Sequence, residues 1–400
     1  QLGRGLRRAE GKSHLTVIDL IGQHRKEFRF DKRLAAIVDR RRGSIQEQVE
    51  KGFPFLPAGC TIDLDRVSDS IVMESLKEAS RHSKPAQLVA ELKQAGDQIS
   101  LAEFVENYAH RVEDIYRGKR SWTGFRREAG FATKPAGDSN LEEVALRNLS
   151  RLTHVDDPER NGFYREMLSE ATPPRLSDLS LPEQRRMTML AWGLGSGQSG
   201  RETLDQFFTD LWELESVLDE LRQLLAILDQ RAITLTGLAE ASDIPLNVHA
   251  RYSREEIVAA LGFGDGVKPK VTQGGVLWVP EAKSDVFFID LHKAERDYSP
   301  TTMYRDYAIN RDLFHWESQS RQAPHQPTVQ RYINHRREET SILLFVRERK
   351  RGELGTLPFS YLGPADYVAH EGQKPVQFTW HLRTPMPAEL FESARSVAAA

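Results

Sequence analysis

The stretch Phe314-His315-Trp316-Glu317-Ser318-Gln319-Ser320 sets an indole beside an imidazole and follows them with a carboxylate, two hydroxyls and an amide. Aromatic faces with short polar groups alongside can hold a planar heterocycle by stacking and by hydrogen bonds to its edge. Tyr304, Tyr307, Tyr332, His335, Tyr361, Tyr367 and Trp380 lie on either side of it in the chain. The last third of the chain therefore reads as a recognition domain organised around this stretch. The same residue types also fit a plain β-domain core that takes in Phe314 and Trp316.

A second chemistry sits at the other end. Gly3-Arg4-Gly5-Leu6-Arg7 is followed by Gly11-Lys12-Ser13 and by the buried-strand pattern Leu15-Thr16-Val17-Ile18-Asp19-Leu20-Ile21. A Gly-Arg-Gly-x-Arg turn entering a helix places two guanidiniums about one turn apart, and guanidiniums grip phosphate oxygens as a fork. That is the chemistry of an arginine finger on a nucleoside triphosphate. His24, Lys26 and Asp31 fit the H-x-K-x-x-x-x-D core of the phospholipase D nucleases, but that site needs two copies and one is present. A basic connector is the better reading of them. Arg40-Arg41-Arg42 is read as a solvated charge run.

Four hundred residues suggest two or three domains, and 39% hydrophobic with 28% charged residues is ordinary for a soluble chain. A formal charge of −3 supplies no global attraction to nucleic acid, so any such surface has to be local. The one cysteine, Cys60, excludes an internal disulfide framework and a cysteine-rich zinc site, and fits a cytoplasmic location. No apolar run is long enough to span a membrane. The chain opens with Gln1 inside a motif, so it is expected to be part of a longer protein.

The elements that must position these groups fall into three stretches: 1–45, 46–232 and 233–400. Gly52 to Cys60 is a loop punctuated by proline and glycine. Beyond it the pattern is helical: Val67–Ala79, Ala86–Gln94, Leu101–Tyr116, Leu141–Leu152, Ser180 to about Trp192, and one long amphipathic helix over Leu204–Leu228. Ser100 with Glu103 and Ser253 with Glu256 are capping boxes. The Phe207, Leu211, Leu214, Val217, Leu221, Leu225 and Leu228 stripe is intramolecular core or the seam of a homodimer. After Gly262 strands are expected at 274–279, 286–291, 341–348, 359–363 and 376–382, forming a small, curved, barrel-like sheet. Asp285, Asp290, Lys293 and Glu295 lie close in sequence without a recognised nuclease spacing; they carry the rival reading of a nuclease in its own right.

Motif order then supplies a resemblance. Gly3-Arg4-Gly5-x-Arg7 with its strand resembles motif VI of superfamily II helicases. Together with Gly52 to Cys60, Phe314-His315-Trp316-x-Ser318, Arg331-Tyr332-Ile333-Asn334-His335, Leu343 to Glu348 and Tyr361-Leu362-Gly363-Pro364-Ala365-Asp366-Tyr367, the chain resembles the C-terminal half of bacterial proteins that join a phospholipase-D-type nuclease, a superfamily II helicase and a further C-terminal domain. Type IV, modification-dependent restriction enzymes of the SauUSI kind are examples. The resemblance implies a multidomain α+β chain: the end of a RecA-like domain over 1–45, a helical coupling region over 46–232, and a β-rich, SRA/PUA-like recognition domain over 233–400. It implies that Arg4 and Arg7 reach ATP. The chain has no Walker A loop and no Walker B pair, so ATP and Mg2+ belong to the parent protein, whose helicase and nuclease domains would be partners. It also implies binding of double-stranded DNA with modified cytosine by base flipping. Trp316 with Tyr361 or Tyr367 would be the walls, with His315 nearby, and Ser318, Gln319 and Asp366 would read the base edge. Arg331, His335, Arg336, Arg347, Arg349 and Lys350 would meet the DNA backbone.

Overall fold

In a computed structural model the described residues are 84–395, except 109, 134–137, 232–242, 271–273, 292–305 and 320–321, with a few scattered residues before 84. The chain divides into two compact units, Gln1–Lys84 and Pro85–Ala400. Arg4, Arg7, His24, Lys26, Asp31, Arg40 to Arg42, Cys60, Lys293, Glu295 and Tyr304 lie outside the described residues. The second unit carries a set of helices and a sheet.

Its first part is helical. The helices are α1 (Pro85–Ala95), α2 (Leu101–Asn107), α3 (Val112–Tyr116), α4 (Trp122–Glu128), α5 (Ser139–Asn148), α6 (Pro158–Ser169), α7 (Leu181–Leu194), α8 (Leu204–Trp212) and α9 (Glu215–Asp229). Ser100 starts α2 as its sequence requires: the Glu103 carboxylate accepts the Ser100 N–H at 2.9 Å and the Glu103 N–H donates to Ser100 Oγ at 3.3 Å. Two expected helices are each broken. Leu101–Tyr116 is α2 and α3, and Leu204–Leu228 is α8 and α9, which part at Glu213 and Leu214. The leucine stripe survives the break because Leu214 leaves helical backbone while its side chain stays buried. Phe207, Leu211, Leu214, Val217, Leu221, Leu225 and Leu228 all lie in one core, so the stripe is not a dimer seam.

The second part begins with β1 (Arg251–Tyr252) and α10 (Arg254–Ala260), which Ser253 and Glu256 cap. The small hairpin β2 (Gly264–Asp265) and β3 (Lys268–Pro269) comes next, then β4 (Val276–Val279), β5 (Ser284–Asp290), β6 (Tyr307–Ala308), β7 (Leu313–Glu317), α11 (Pro327–Asn334) and β8 (Ser341–Arg347). A second hairpin, β9 (Arg351–Gly352) and β10 (Gly355–Thr356), precedes β11 (Phe359–Glu371), β12 (Gln377–Leu382) and α12 (Ala388–Arg395). The main sheet has the order β4-β5-β8-β11-β12-β7-β6, with β1 also on β11. β5 and β8 are parallel and the other pairs antiparallel. Among the described residues β4 and β6 do not meet, so the sheet is open and mixed rather than the expected barrel-like one.

Alternation along the strands divides the side chains between two cores. Val286, Phe288, Leu343, Phe345, Phe359 and Tyr361 join the core that fills the helical part. Phe287, Ile289, Ile342, Leu344, Trp316, Phe378 and Trp380 form the other, beneath Val329 and Tyr332 of α11, with Leu390 and Phe391 of α12 packed against it. Helices and sheet therefore share one hydrophobic core.

A buried polar joint reinforces this union. Glu256 accepts from Arg160 Nη1 at 2.8 Å and lies 2.7 Å from His154 Nε2. Asp157 accepts the Tyr252 hydroxyl at 2.8 Å, and Asp156 takes both the backbone N–H and Nε of Arg251. The loop and first turn at 154–160 thus grip β1 and α10 at once, and β1 is paired with β11.

Candidate functional site

The proposed base-pocket residues do not converge. Trp316 is 5% exposed and stacks on Phe287 with ring centres 4.1 Å apart, edge-on to Tyr332 and close to Phe378. Tyr361 belongs to the other core, stacked on Phe345 at 4.5 Å. Trp316 and Tyr361 therefore lie on opposite faces of the sheet and cannot sandwich one base. Tyr367 stands at the margin of the Trp316 core, edge-on to Phe378 and Trp380, and its hydroxyl is 2.6 Å from His370 Nδ1. Ser318 is fully buried: it exchanges bonds with Val376, whose N–H donates to Ser318 Oγ at 3.0 Å and whose carbonyl accepts the Ser318 N–H at 2.9 Å. Gln319 is exposed beyond that closure.

Asp366 is 6% exposed and is held by Arg336 and Arg383. Burial alone would raise its pKa, but the two guanidiniums outweigh that and hold the carboxyl far below the usual carboxylate range. Its oxygens are thus committed to arginines rather than to a cytosine amino group, which corrects the edge-reader assignment.

The expected backbone contacts also separate. Arg331 is locked onto buried Asp285 by two 2.7 Å bonds, its guanidinium 4.2 Å from the Trp278 ring centre. Arg347 is buried, bonded to Asp290 and lying over Phe359. His335 is 1% exposed; its Nε2 accepts the Tyr367 N–H at 3.1 Å, and burial lowers its pKa. These three hold the fold and are not a DNA-facing rim. Arg336, Arg349 and Lys350 are exposed. Of the carboxylates in the rival nuclease reading, Asp285 and Asp290 are five residues apart on β5, so they face opposite ways, and each is bound to an arginine; Glu295 lies outside the described residues.

His315 is placed differently. The β7 burial pattern alternates, Phe314 and Trp316 inward, Leu313, His315 and Glu317 outward. The neighbouring β12 does the same, with Gln377, Thr379 and His381 outward. Register brings these groups into rows: Tyr307, His315 and Thr379 in one, Leu313, His381 and Asp366 in the next. Tyr307 and His315 are stacked, 4.6 Å apart and 13° from parallel. The helical core covers this face of the sheet at β5, β8 and the start of β11. Over β12, β7 and β6, none of these outward side chains joins either core among the described residues. Exposed Ile309 and Val368 border the open half. Arg311 and Arg383 stand at the end where β7 starts and β12 finishes, with Arg311 Nε donating to Met386 O at 2.6 Å.

His249 adjoins that end. Its backbone is left-handed, φ 73°, a conformation rare for a side chain with a Cβ, and its N–H donates to Tyr361 O. Burial first, and the Arg311 charge second, lower its pKa. Among the described residues, this half of the sheet thus carries an imidazole–phenol stack with arginines at one end. Sequence reasoning found His315 and Arg336 but missed Arg311, His381 and Arg383; the period-two alternation around Phe314 and Phe378 was the signal that could have found His381.

Comparison with known proteins adds one match. Residues 246–394, which hold β1 and nearly all of the chain beyond it, match a family model described as a domain of unknown function (DUF3427). No curated protein matches the chain significantly.

Proposed function

We propose that this chain is the target-recognition and coupling portion of an ATP-dependent, modification-dependent DNA restriction system, and that the open half-sheet over β12, β7 and β6 is the surface that meets duplex DNA with modified cytosine. The observation that carries the reading is the half-buried Tyr307–His315 stack on a sheet face with arginines at one end. Aromatic and imidazole rings offer a platform on which a base can stack, worth about 1–3 kcal/mol per base, which offsets much of the few kcal/mol needed to unstack it. Guanidiniums at the margin supply the local positive charge that the net charge does not. The coupling half of the proposal rests on the shared core and the His154–Arg160 joint, which make the helices and the sheet one body. In this reading residues 1–45 end a RecA-like domain in which Arg4 and Arg7 approach ATP, and nuclease chemistry belongs to the parent protein.

The test is binding of the 400-residue chain to matched duplexes with and without 5-methylcytosine at two salt concentrations, for wild type and His315→Ala. Tighter binding to modified duplex that weakens in His315→Ala is expected. Equal binding of all duplexes by both proteins would overturn the recognition reading. The steep loss of affinity with salt isolates the sequence-independent phosphate contribution.

A further inference from the structure

The turn that joins β6 to β7 is built to hold one arginine still. Asn310 Oδ1 accepts the N–H groups of Asp312 and Leu313, both at 2.8 Å, and the Ile309 N–H donates to Leu313 O at 2.9 Å. This side-chain closure fixes the turn on which Arg311 stands. Met386, just past β12, then clamps Arg311 twice. The Met386 N–H donates to Arg311 O at 2.7 Å, and Arg311 Nε donates to Met386 O at 2.6 Å. The second bond commits the Nε–H and leaves the Nη end of the guanidinium, which can grip an oxyanion as a fork. Neither Nη carries a hydrogen bond among the described residues, and no carboxylate there pairs with them, that of Asp312 next in the chain included. Arg311 is exposed.

His249 reaches the same place from another part of the chain. Its N–H donates to Tyr361 O at 2.6 Å, at the β11 bulge between Tyr361 and Gly363. Gly363 lies against Val248, where a Cβ would come within 3.2 Å. Pro364 O accepts the Arg383 N–H at 3.2 Å, and Asp312 O accepts the Leu382 N–H at 2.8 Å. The loop before β1, the β11 bulge, the end of β12 and the β6–β7 turn therefore converge. The imidazole is half-buried, its Nε2 has no hydrogen-bond partner among the described residues, and its backbone is left-handed. Packing alone does not account for a strained residue with an orphaned ring nitrogen. Burial disfavours its protonated form, and Arg311 is the charge it feels among the described residues.

We infer that Arg311, on its anchored turn, is a seat for a phosphate group, and that the His249 imidazole is the neighbour that senses its occupant. This deepens the function proposed above, on which it rests for the source of that phosphate, a backbone phosphodiester of the duplex. The Met386 clamp places the guanidinium before any ligand arrives, so little side-chain freedom is lost on binding. The strands on either side of the turn carry Tyr307 and His315, so a strand whose phosphate rests on Arg311 would run onto the stacking rows. An anion on the guanidinium also offsets the positive charge that disfavours a protonated His249, which links phosphate binding to the charge of the imidazole.

Three variants separate an anchored seat from bulk charge. Arg311→Gln removes the charge; Arg311→Lys keeps it but loses the fork and the Nε bond to Met386. Arg337→Gln removes the same charge from an exposed arginine in the turn after α11. The seat predicts several-fold weaker duplex binding in both Arg311 variants and none of this loss in Arg337→Gln. In Arg311→Gln the slope of log affinity against log salt should fall by about 0.9. Equal losses in Arg311→Gln and Arg337→Gln, or wild-type affinity in Arg311→Lys, would overturn the seat. A second arm uses pyrophosphate as the probe and follows the His249 ring protons of the 400-residue chain against pH by NMR. Their assignment comes from His249→Gly, since glycine accepts the φ of 73°. Pyrophosphate should move the His249 midpoint up in wild type and leave it in place in Arg311→Gln. An unmoved midpoint in wild type would overturn the seat. A moved midpoint without duplex binding would leave the seat standing and remove the DNA reading. Duplex binding that Arg311→Gln leaves unchanged would do the reverse.

Discussion

Trp316→Ala separates a core indole from a pocket wall. The ring is 5% exposed, stacked on Phe287 at 4.1 Å and in contact with the rings of Tyr332 and Phe378. Truncation removes the apolar transfer free energy of an indole, leaves a cavity beneath α11 and breaks three aromatic pairs. Core Trp-to-Ala changes cost about 3–5 kcal/mol, and aromatic pairs add about 0.5–1.5 kcal/mol each beyond their area, so the upper part of that range is expected. Equilibrium urea unfolding followed by circular dichroism gives the number. His315→Ala, one residue away but on the open face, should cost less than about 1 kcal/mol, because substitutions away from buried features are small. A cost below about 1 kcal/mol for Trp316→Ala, together with lost DNA binding, would refute the placement and restore the indole as a pocket wall.

Three further outcomes rest on the same geometry. Burial raises the Glu256 pKa, but His154 and Arg160 outweigh it and bring the carboxyl from 4.5 to about 2. A depressed carboxyl contributes stability that is complete above pH 4.5 and is lost as pH falls toward about 2. Glu256→Gln should therefore cost about 3–5 kcal/mol at pH 7, since it strands buried Arg160, and should flatten the acid limb in that window; an unchanged pH profile would contradict it. Gly264→Ala would place a Cβ 2.1 Å from the Trp192 ring, whose Nε1 donates to Gly266 O, so a loss of about 1–3 kcal/mol and a changed tryptophan emission are expected. Arg331→Gln should lower stability by leaving Asp285 buried without its partner, yet leave the salt slope of duplex binding unchanged; a reduced slope would return Arg331 to the DNA rim.

What the sequence disclosed was local. The capping boxes at Ser100 and Ser253 depend on residues three apart, and both formed as read. The β4–β5 hairpin and the β8 strand were legible from short apolar runs between turn residues. The break at Leu214 was not legible, because the core draws on the stripe from both helices and the spacing continues across the kink. Short strands between turn residues suggest a barrel-like sheet, whereas strand order and the absence of a β4–β6 pairing among the described residues are long-range facts. For the site, the aromatic density around Trp316 fits a pocket and a plain core alike, whereas the alternation in Phe314-His315-Trp316-Glu317 sets the histidine on the face opposite the indole. The separation of Trp316 from Tyr361, and the pairing of Arg331 with Asp285 and of Arg347 with Asp290, depend on register between segments dozens of residues apart, which no local pattern encodes.

The central claim is that duplex DNA meets the open half-sheet. Hydrogen–deuterium exchange of the 400-residue chain with and without a methylated duplex tests it most directly. Slowed exchange confined to residues 307–317, 366–371 and 377–383, with 286–291 and 341–347 unchanged, is the predicted footprint. Protection confined to the helical part, or none at saturating duplex, would contradict the account.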